Sequence, residues 1–170
     1  MKQLILLRHA KSSWKDPTLD DFDRPLNKRG EAAAPVMGRR LAARRLRPEQ
    51  IVCSPARRTR MTAERVAAAL GVPATAIEDR PELYAADLAT LLACLRRLDD
   101  TWSTILLVGH NPGLTELANT LAPCRIDNIV TCGVVALGLP LTRWAELTPG
   151  CGRLLFYDDP KRIAEVSGNT

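Results

Sequence analysis

Short apolar runs alternate along this chain with longer stretches of helical periodicity, and this alternation limits the possible folds more than any other feature. Each run is too short for a helix, and several are apolar enough to be buried on both faces of a sheet. Six runs are predicted strands: residues 4–7, 50–53, 104–108, 134–139, 144–147 and 154–157. Strands that alternate with helices are typical of an α/β sandwich, with a largely parallel central sheet and helices on both faces.

Four helices are predicted between the strands, because each helical stretch follows a residue type that commonly caps a helix. The predicted helices are residues 28–45, 55–70, 88–98 and 112–121, with Asn27, Ser54, Asp87 and Asn111 as their caps. Proline follows two of these caps, as is common at the first helical position. No repeat or linker interrupts the pattern, so we expect a single domain over residues 1–170.

The composition excludes several classes of protein. Of the 170 residues, 46% are hydrophobic and 25% are charged, as in soluble globular domains. No apolar run approaches the roughly 20 residues of a membrane span, and the first residues predict a strand instead of a signal peptide. We therefore expect a cytoplasmic protein with no membrane partner. The five cysteines are scattered without a CxxC pair, which predicts free thiols.

The net charge of +5 raises the possibility of nucleic-acid binding, but the distribution of arginines argues against it. Five of them lie on one predicted helix and suit a solvated face: Arg39, Arg40, Arg44, Arg45 and Arg47. No aromatic residues are interleaved with them to stack on bases. A mildly basic balance also suits anionic phosphorylated substrates, so no nucleic-acid partner is expected.

The chain has two histidines, and each lies two residues after the end of a predicted buried strand. His9 ends the stretch LILLRH, and His110 ends the stretch TILLVGH. In open α/β sheets, ligands bind at the carboxyl ends of the strands. Either histidine alone would more simply be structural, but their shared context predicts that they face each other across one pocket.

The helix after the second strand adds positive charge to this predicted pocket. Its first turns carry Arg57, Arg58 and Arg60, and a helix N-terminus is itself a phosphate site. Arginine suits this role because its planar fork binds phosphate oxygens bidentately and stays charged. The sequence contains neither a carboxylate cluster suited to a metal nor a GxxxxGK[ST] loop. It therefore predicts phosphoryl chemistry at an imidazole, with no metal and no cofactor.

Three motifs resemble the signatures of the histidine phosphatase superfamily. They are LRHAKSSW (residues 7–14), SPARRTRMTAE (residues 54–64) and VGHNPGL (residues 108–114). The stretches DFDRPLNKRG and WAELTPGCGRLL also resemble its SixA-like phosphohistidine phosphatase branch. The resemblance covers nearly the whole chain in the expected order, and it implies the phosphoglycerate-mutase-like fold.

The resemblance implies a role for each of four residues. His9 matches the histidine that is transiently phosphorylated, and Arg8 matches its neighbouring phosphate ligand. The family's S-x-x-x-R spacing from Ser54 selects Arg58, and His110 matches the second histidine that contacts the phosphoryl oxygens. The transition state of phosphoryl transfer needs positive charge around its equatorial oxygens. Neighbouring cations should also keep the free His9 neutral and nucleophilic.

Further substrate contacts and the general acid are less clearly indicated. Lys15 stands where many family members have a phosphate-binding asparagine, which leaves a set of neighbouring polar residues as candidates. These are Lys11, Ser12 and Ser13 in the first loop and Asn111 after the second histidine. Glu82 and Asp87 are the carboxylates available as a general acid, although Asp87 is more simply a helix cap.

The weakly indicated acid favours a substrate with a good leaving group. An alkoxide needs a well-placed acid to leave, whereas the imidazole of phosphohistidine needs much less help. The predicted substrate is therefore phosphohistidine on a signalling or phosphotransfer protein. A phosphatase of a small phosphorylated metabolite is the alternative. A further alternative is a non-catalytic phosphate-binding module. Such a module would be expected to have lost one of the four site residues, but all of them are present: Arg8, His9, Arg58 and His110.

Overall fold

The computed structural model describes residues 1–162 and contains one six-stranded sheet with helices on both of its faces. The strands are β1 (Lys2–Arg8), β2 (Gln50–Cys53), β3 (Ile77–Asp79), β4 (Thr104–Gly109), β5 (Val134–Leu139) and β6 (Arg153–Asp158). The helices are α1 (Lys28–Ala43), α2 (Arg57–Leu70), α3 (Leu88–Arg96) and α4 (Gly113–Leu121). Four short 3-10 helices cover Asp21–Asp23, Ala74–Ala76, Pro81–Leu83 and Trp144–Glu146. The predicted α/β sandwich is confirmed.

The sheet is parallel on one side and antiparallel on the other. Its strand order is β3-β2-β4-β1-β5-β6. The first four strands run parallel, whereas β5 is antiparallel to β1 and β6 is antiparallel to β5. The prediction of a largely parallel sheet is therefore confirmed. This order brings the carboxyl ends of β2, β4 and β1 side by side at one edge.

Alternating side chains of the central strands build a core on each face of the sheet. Leu4 and Leu6 of β1 are fully buried in one apolar cluster with residues of α3 and α4. Ile5 and Leu7 are fully buried in a second cluster with residues of α1 and α2. Successive strand residues point to opposite faces, so one apolar run serves both layers.

Several predicted helix boundaries are confirmed by the capping contacts. The side chain of Asn27 accepts a hydrogen bond from Gly30 N at 2.9 Å, and α1 begins at the next residue after Asn27. Asp87 accepts from Thr90 N at 2.9 Å before α3. Gly71 ends α2 with φ +69°, a left-handed conformation that glycine adopts without strain.

Two sequence predictions about secondary structure were wrong, and one strand was not predicted. The predicted strand over residues 144–147 is a 3-10 helix, whose Trp144 is fully buried in the core. Its apolar character thus reflects burial and not strand pairing. The strand β3 was missed because only three residues form it and two of them are acidic. The helix α2 begins at Arg57 and not at residue 55, and Ser54 does not cap it but binds His110 through its Oγ.

The arginines predicted on one solvated helix face are exposed with one exception. Of the five arginines assigned to a solvated helix face, four are exposed, whereas Arg40 is half-buried and donates to Asp158 Oδ1 at 3.1 Å. Across residues 1–162, no helix combines the length and apolar character needed to cross a bilayer.

The close approach of α1 to α2 makes Gly38 a sensitive position. A Cβ atom at Gly38 would lie 2.7 Å from Ala69 Cβ and 2.9 Å from Val66 O. We predict that Gly38→Ala lowers the free energy of unfolding by about 1–3 kcal/mol, because overpacking outweighs the better helix propensity of alanine. Urea unfolding measures this change, with Arg39→Ala on the exposed face as the control. A more stable Gly38→Ala protein would contradict the prediction.

Candidate active site

The two histidines lie together where β1 and β4 end. His9 N donates to Gly109 O at 3.1 Å, so the pairing of these two strands continues one residue beyond β1. The imidazole rings of His9 and His110 have their centroids 5.3 Å apart and are tilted by 54°. Both residues are buried. From the end of β2, the chain adds Ser54, whose backbone N donates to Val108 O.

The ring of His9 is held as a neutral tautomer with one free nitrogen. Its Nδ1 lies 2.7 Å from Ala10 O. A carbonyl oxygen can only accept, so Nδ1 carries the proton and Nε2 keeps its lone pair. Burial and, to a smaller extent, the charges of Arg58, Arg8 and Arg24 lower the pKa of His9 to about 4, although the hydrogen bond to Ala10 acts in the opposite direction. His9 is therefore neutral at physiological pH, as a nucleophile must be.

The ring of His110 has the opposite tautomer. Arg58 Nη2 lies 3.4 Å from its Nδ1, and a guanidinium can only donate. The proton therefore sits on Nε2, which donates to Ser54 Oγ at 2.7 Å. Burial, together with the neighbouring His9 and Arg58, lowers the pKa of His110 to about 3.

Arg58 is the arginine of α2 that reaches this pocket. It is 6% exposed, whereas Arg57 is exposed and Arg60 pairs with Glu64 and Asp79 on the outside of the helix. Arg58 Nη1 donates to the backbone O of Asp21 at 2.7 Å, and its Nη2 donates to Asp21 Oδ2 at 3.0 Å. Of the three arginines in the first turns of α2, Arg58 is therefore the one placed beside His110.

Asp21 connects Arg58 to a tyrosine. Tyr84 Oη donates to Asp21 Oδ2 at 2.7 Å, and the Tyr84 ring packs edge-on against His110 at 5.7 Å between centroids. This hydrogen bond, together with the charges of Arg58 and Arg24, holds the pKa of Asp21 below its usual value. Asp21 is thus an ionised carboxylate that orients Arg58.

Arg8 and Arg24 complete the positive lining around His9. Arg8 Nη1 donates to Ile129 O at 2.9 Å, which fixes its guanidinium beside the pocket. Arg24 is 6% exposed, stacks on Trp14 with its Cζ 3.4 Å from the ring centroid, and donates to Ser12 Oγ at 2.6 Å. Its Nε lies 3.4 Å from Asp21 Oδ1. Three guanidinium groups therefore surround a neutral imidazole, an arrangement that suits a phosphoryl group.

Residues 4–103 match the family model of the histidine phosphatase superfamily (branch 1). The chain belongs to the histidine phosphatase superfamily. A protein of Mycobacterium tuberculosis is 33% identical over 165 residues, which cover 91% of this chain and 100% of that protein. The SixA structure from Agrobacterium tumefaciens is 30% identical with a TM-score of 0.77, covering 94% of this chain and 98% of that one. This chain is therefore a SixA-like phosphatase.

More distant members of the superfamily share the fold alone. The mycobacterial glucosyl-3-phosphoglycerate phosphatase is 16% identical with a TM-score of 0.68, covering 94% of this chain and 100% of that one. At this level of identity, the likeness carries no information about the substrate of this chain.

The four loop candidates for substrate binding make different contacts. Ser12 Oγ accepts from Arg24, and Ser13 Oγ accepts from Lys15 N at 3.2 Å. Lys11 lines a cavity beside Arg8. The Asn111 side chain donates to Asn128 Oδ1 and Ile129 O and accepts from Thr115. Asn111 is thus occupied in holding its own loop, and substrate contacts by all four residues stay predictions.

Neither predicted general acid contacts the histidines. Glu82 lies 3.7 Å from Arg97 in an ion pair, and Asp87 caps α3. In the part of the chain that the structure describes, no three His, Cys, Asp or Glu side chains are grouped so that they could hold a metal ion.

Sequence reasoning missed three residues of this histidine phosphatase site, namely Asp21, Arg24 and Tyr84. The first two lie in DFDRPLNKRG, a stretch noted for its resemblance but given no role. Tyr84 lies between Glu82 and Asp87, the two carboxylates predicted as general acids, and no local pattern distinguishes it. The signal for Asp21 was its spacing of three residues from Arg24, which suits an ion pair.

We predict that Arg58→Ala lowers kcat/KM on the order of 100-fold or more, because it removes a preorganised charge from the pocket. Arg57→Ala is the matched control, since it removes the same charge one residue away on the exposed side of α2. Steady-state hydrolysis of an aryl phosphate by both variants measures the effect. A larger loss in Arg57→Ala would show that the arginine register is wrong.

The low histidine pKa values predict a pH dependence of stability. An unfolded histidine takes up its proton near pH 6.5, whereas folded His9 stays neutral down to about pH 4. The unfolded state therefore binds more protons in this interval, and the free energy of unfolding should decrease as the pH falls from about 6.5 to 4. Urea unfolding at several pH values should give a shallower decrease for His9→Gln than for the wild type. If the free energy of unfolding decreased equally steeply with falling pH in both proteins, the pKa of His9 would not be lowered.

Proposed function

We propose that this chain is a phosphohistidine phosphatase that dephosphorylates a protein, with His9 as the transient carrier of the phosphoryl group. The supporting observation is the state of His9. Its Nδ1 is bound to Ala10 O, which leaves the Nε2 lone pair available beside Arg8 and Arg58. A neutral imidazole surrounded by fixed cations suits attack on phosphorus.

In the first step, His9 Nε2 forms a bond to the phosphorus atom while the bond from phosphorus to the substrate nitrogen breaks. The electron pair of that bond stays with the departing imidazole, which takes up a proton from water. Arg8, Arg58 and His110 surround the phosphoryl oxygens and stabilise the charge that they carry. The Nδ1 atom of His110 lies beside Arg58, and the hydrogen bond from its Nε2 to Ser54 Oγ holds the ring in this orientation.

In the second step, a water oxygen forms a bond to the phosphorus atom and the bond to His9 Nε2 breaks. Inorganic phosphate leaves, and His9 returns to its neutral form. Its Nδ1 stays bound to Ala10 O throughout, so the reacting nitrogen is the same in both steps.

The electrostatics of the pocket favour this substrate over an alkyl phosphate. Asp21 is the carboxylate that contacts Arg58, and its lowered pKa keeps it ionised and unable to donate a proton. An alkoxide leaving group would need that proton, whereas an imidazole is a stable leaving group. The SixA structure from Agrobacterium tumefaciens supports the same substrate class, since it is 30% identical to this chain and carries the name phosphohistidine phosphatase.

The partner proposed for this site is a signalling or phosphotransfer domain that carries phosphohistidine, and its location in the cytoplasm stays a prediction. The alternative substrate is a small phosphorylated metabolite. The two alternatives differ in the leaving group and can therefore be separated by kinetics.

We predict that kcat/KM for a phosphohistidine domain exceeds that for an alkyl phosphate on the order of 100-fold or more, the range in which general acids contribute. His9→Ala should lose both activities and accumulate no acid-labile phosphoenzyme. Glu82→Gln and Asp87→Asn should leave phosphohistidine hydrolysis nearly unchanged. Equal use of both substrates, with one carboxylate variant losing both activities, would instead indicate a metabolite phosphatase with a general acid.

A further inference from the structure

A second cavity lies next to the phosphoryl pocket and shares Arg8 with it. Its volume is about 390 Å³, and it is bounded by the first turns of α1 and by the residues just before β5. Four of its ten lining residues are cationic, and none is acidic. The cationic residues are Arg8, Lys11, Arg29 and Lys161.

Among residues 1–162, no carboxylate lines this cavity, and Asp159 beside it pairs with Arg162 while accepting from the backbone N of Lys161. Within residues 1–162, Lys11, Arg29 and Lys161 form no ion pair, whereas Arg40 and Arg65 of the same protein do. The Nε atom of Arg8 is buried and has no hydrogen-bond partner in the same range. Like charges that surround one cavity repel each other, and a bound anion relieves this repulsion.

The size and walls of the cavity indicate more than a single inorganic ion. Its volume lies at the lower end of the roughly 300–1,000 Å³ typical of ligand pockets. Ala33, Val130 and Pro160 supply apolar walls between the cations. A carboxylate at the end of a short aliphatic stem suits this combination, because its stem can contact the walls while its oxygens reach the cations.

Arg8 links this cavity to the chemistry at His9. It directly precedes His9 in the chain, and its positive charge lowers the pKa of both histidines. A group bound in the cavity would therefore share Arg8 with the transferred phosphoryl group.

We propose that this cavity is a subsite for an acidic side chain of the phosphorylated protein, located near the phosphohistidine. This inference rests on the proposed function and adds a sequence preference to it. The enzyme selects phosphohistidine segments that carry Glu or Asp close to the modified residue.

The test compares two synthetic phosphohistidine peptides that differ only by Glu→Gln changes beside the phosphohistidine. Wild-type enzyme should hydrolyse the acidic peptide with a KM lower by about 3- to 10-fold, the effect expected of partly exposed charged contacts. Arg29→Ala and Lys161→Ala, both at exposed positions, should reduce this preference, and the double variant should abolish it. The kcat for the neutral peptide should stay unchanged in all of them.

Arg39→Ala is the matched control, because it removes one exposed charge from α1 about ten residues, or about 15 Å, beyond Arg29. It should keep the wild-type preference. Equal KM values for both peptides with wild-type enzyme would overturn the subsite. An equal loss of preference in Arg39→Ala would also overturn it, because the preference would then come from the overall positive charge of the protein and not from this cavity. If wild-type enzyme cleaved aryl phosphates but neither peptide, the proposed function itself would fail. A carboxyphenyl phosphate preferred over phenyl phosphate, without a peptide preference, would assign the subsite to a metabolite and overturn the inference.

Discussion

The parallel pairing of β1 with β4 continues past the last strand residue, and the rest of the site depends on this extension. His9 N donates to Gly109 O, so the residue after β1 is fixed against the end of β4. His110 follows Gly109 directly, and the two imidazoles are therefore set 5.3 Å apart by backbone hydrogen bonds. Side-chain contacts then only have to choose the tautomers. A site built on strand ends is positioned more rigidly than one built on a free loop.

The electrostatics of the site follow from burial of two neutral rings among cations. Protonating either imidazole would place a further positive charge beside Arg8 and Arg58 in a poorly solvated pocket, which explains why both pKa values are lowered. Asp21 partly balances Arg58 and, with Tyr84, holds it in place. The same positive field that keeps His9 nucleophilic also attracts the phosphoryl group. A single arrangement of charge therefore prepares the nucleophile and supports binding of its substrate.

Much of this architecture could be predicted from the sequence, because the signals were local. Apolar runs of four to six residues indicated the buried strands, and Asn27, Asp87 and Gly71 indicated helix boundaries. The histidines were found because each lies two residues after such a run. The spacing from Ser54 selected Arg58 over its neighbours, and the helix turns Arg58 inward while Arg57 faces solvent. Periodicity and adjacency are properties of the chain itself, so the sequence alone determined these features.

Only the tertiary structure decided the contacts between distant segments. Trp144 was predicted in a strand, but apolar character does not distinguish a paired strand from a turn that fills the core. Asp21 and Tyr84 are 63 positions apart, and no local pattern predicts that their side chains form a hydrogen bond beside Arg58. The tautomer of His9 likewise depends on where Ala10 O points. Such features arise from packing and hydrogen-bond geometry, which are fixed only after the sheet and helices have come together.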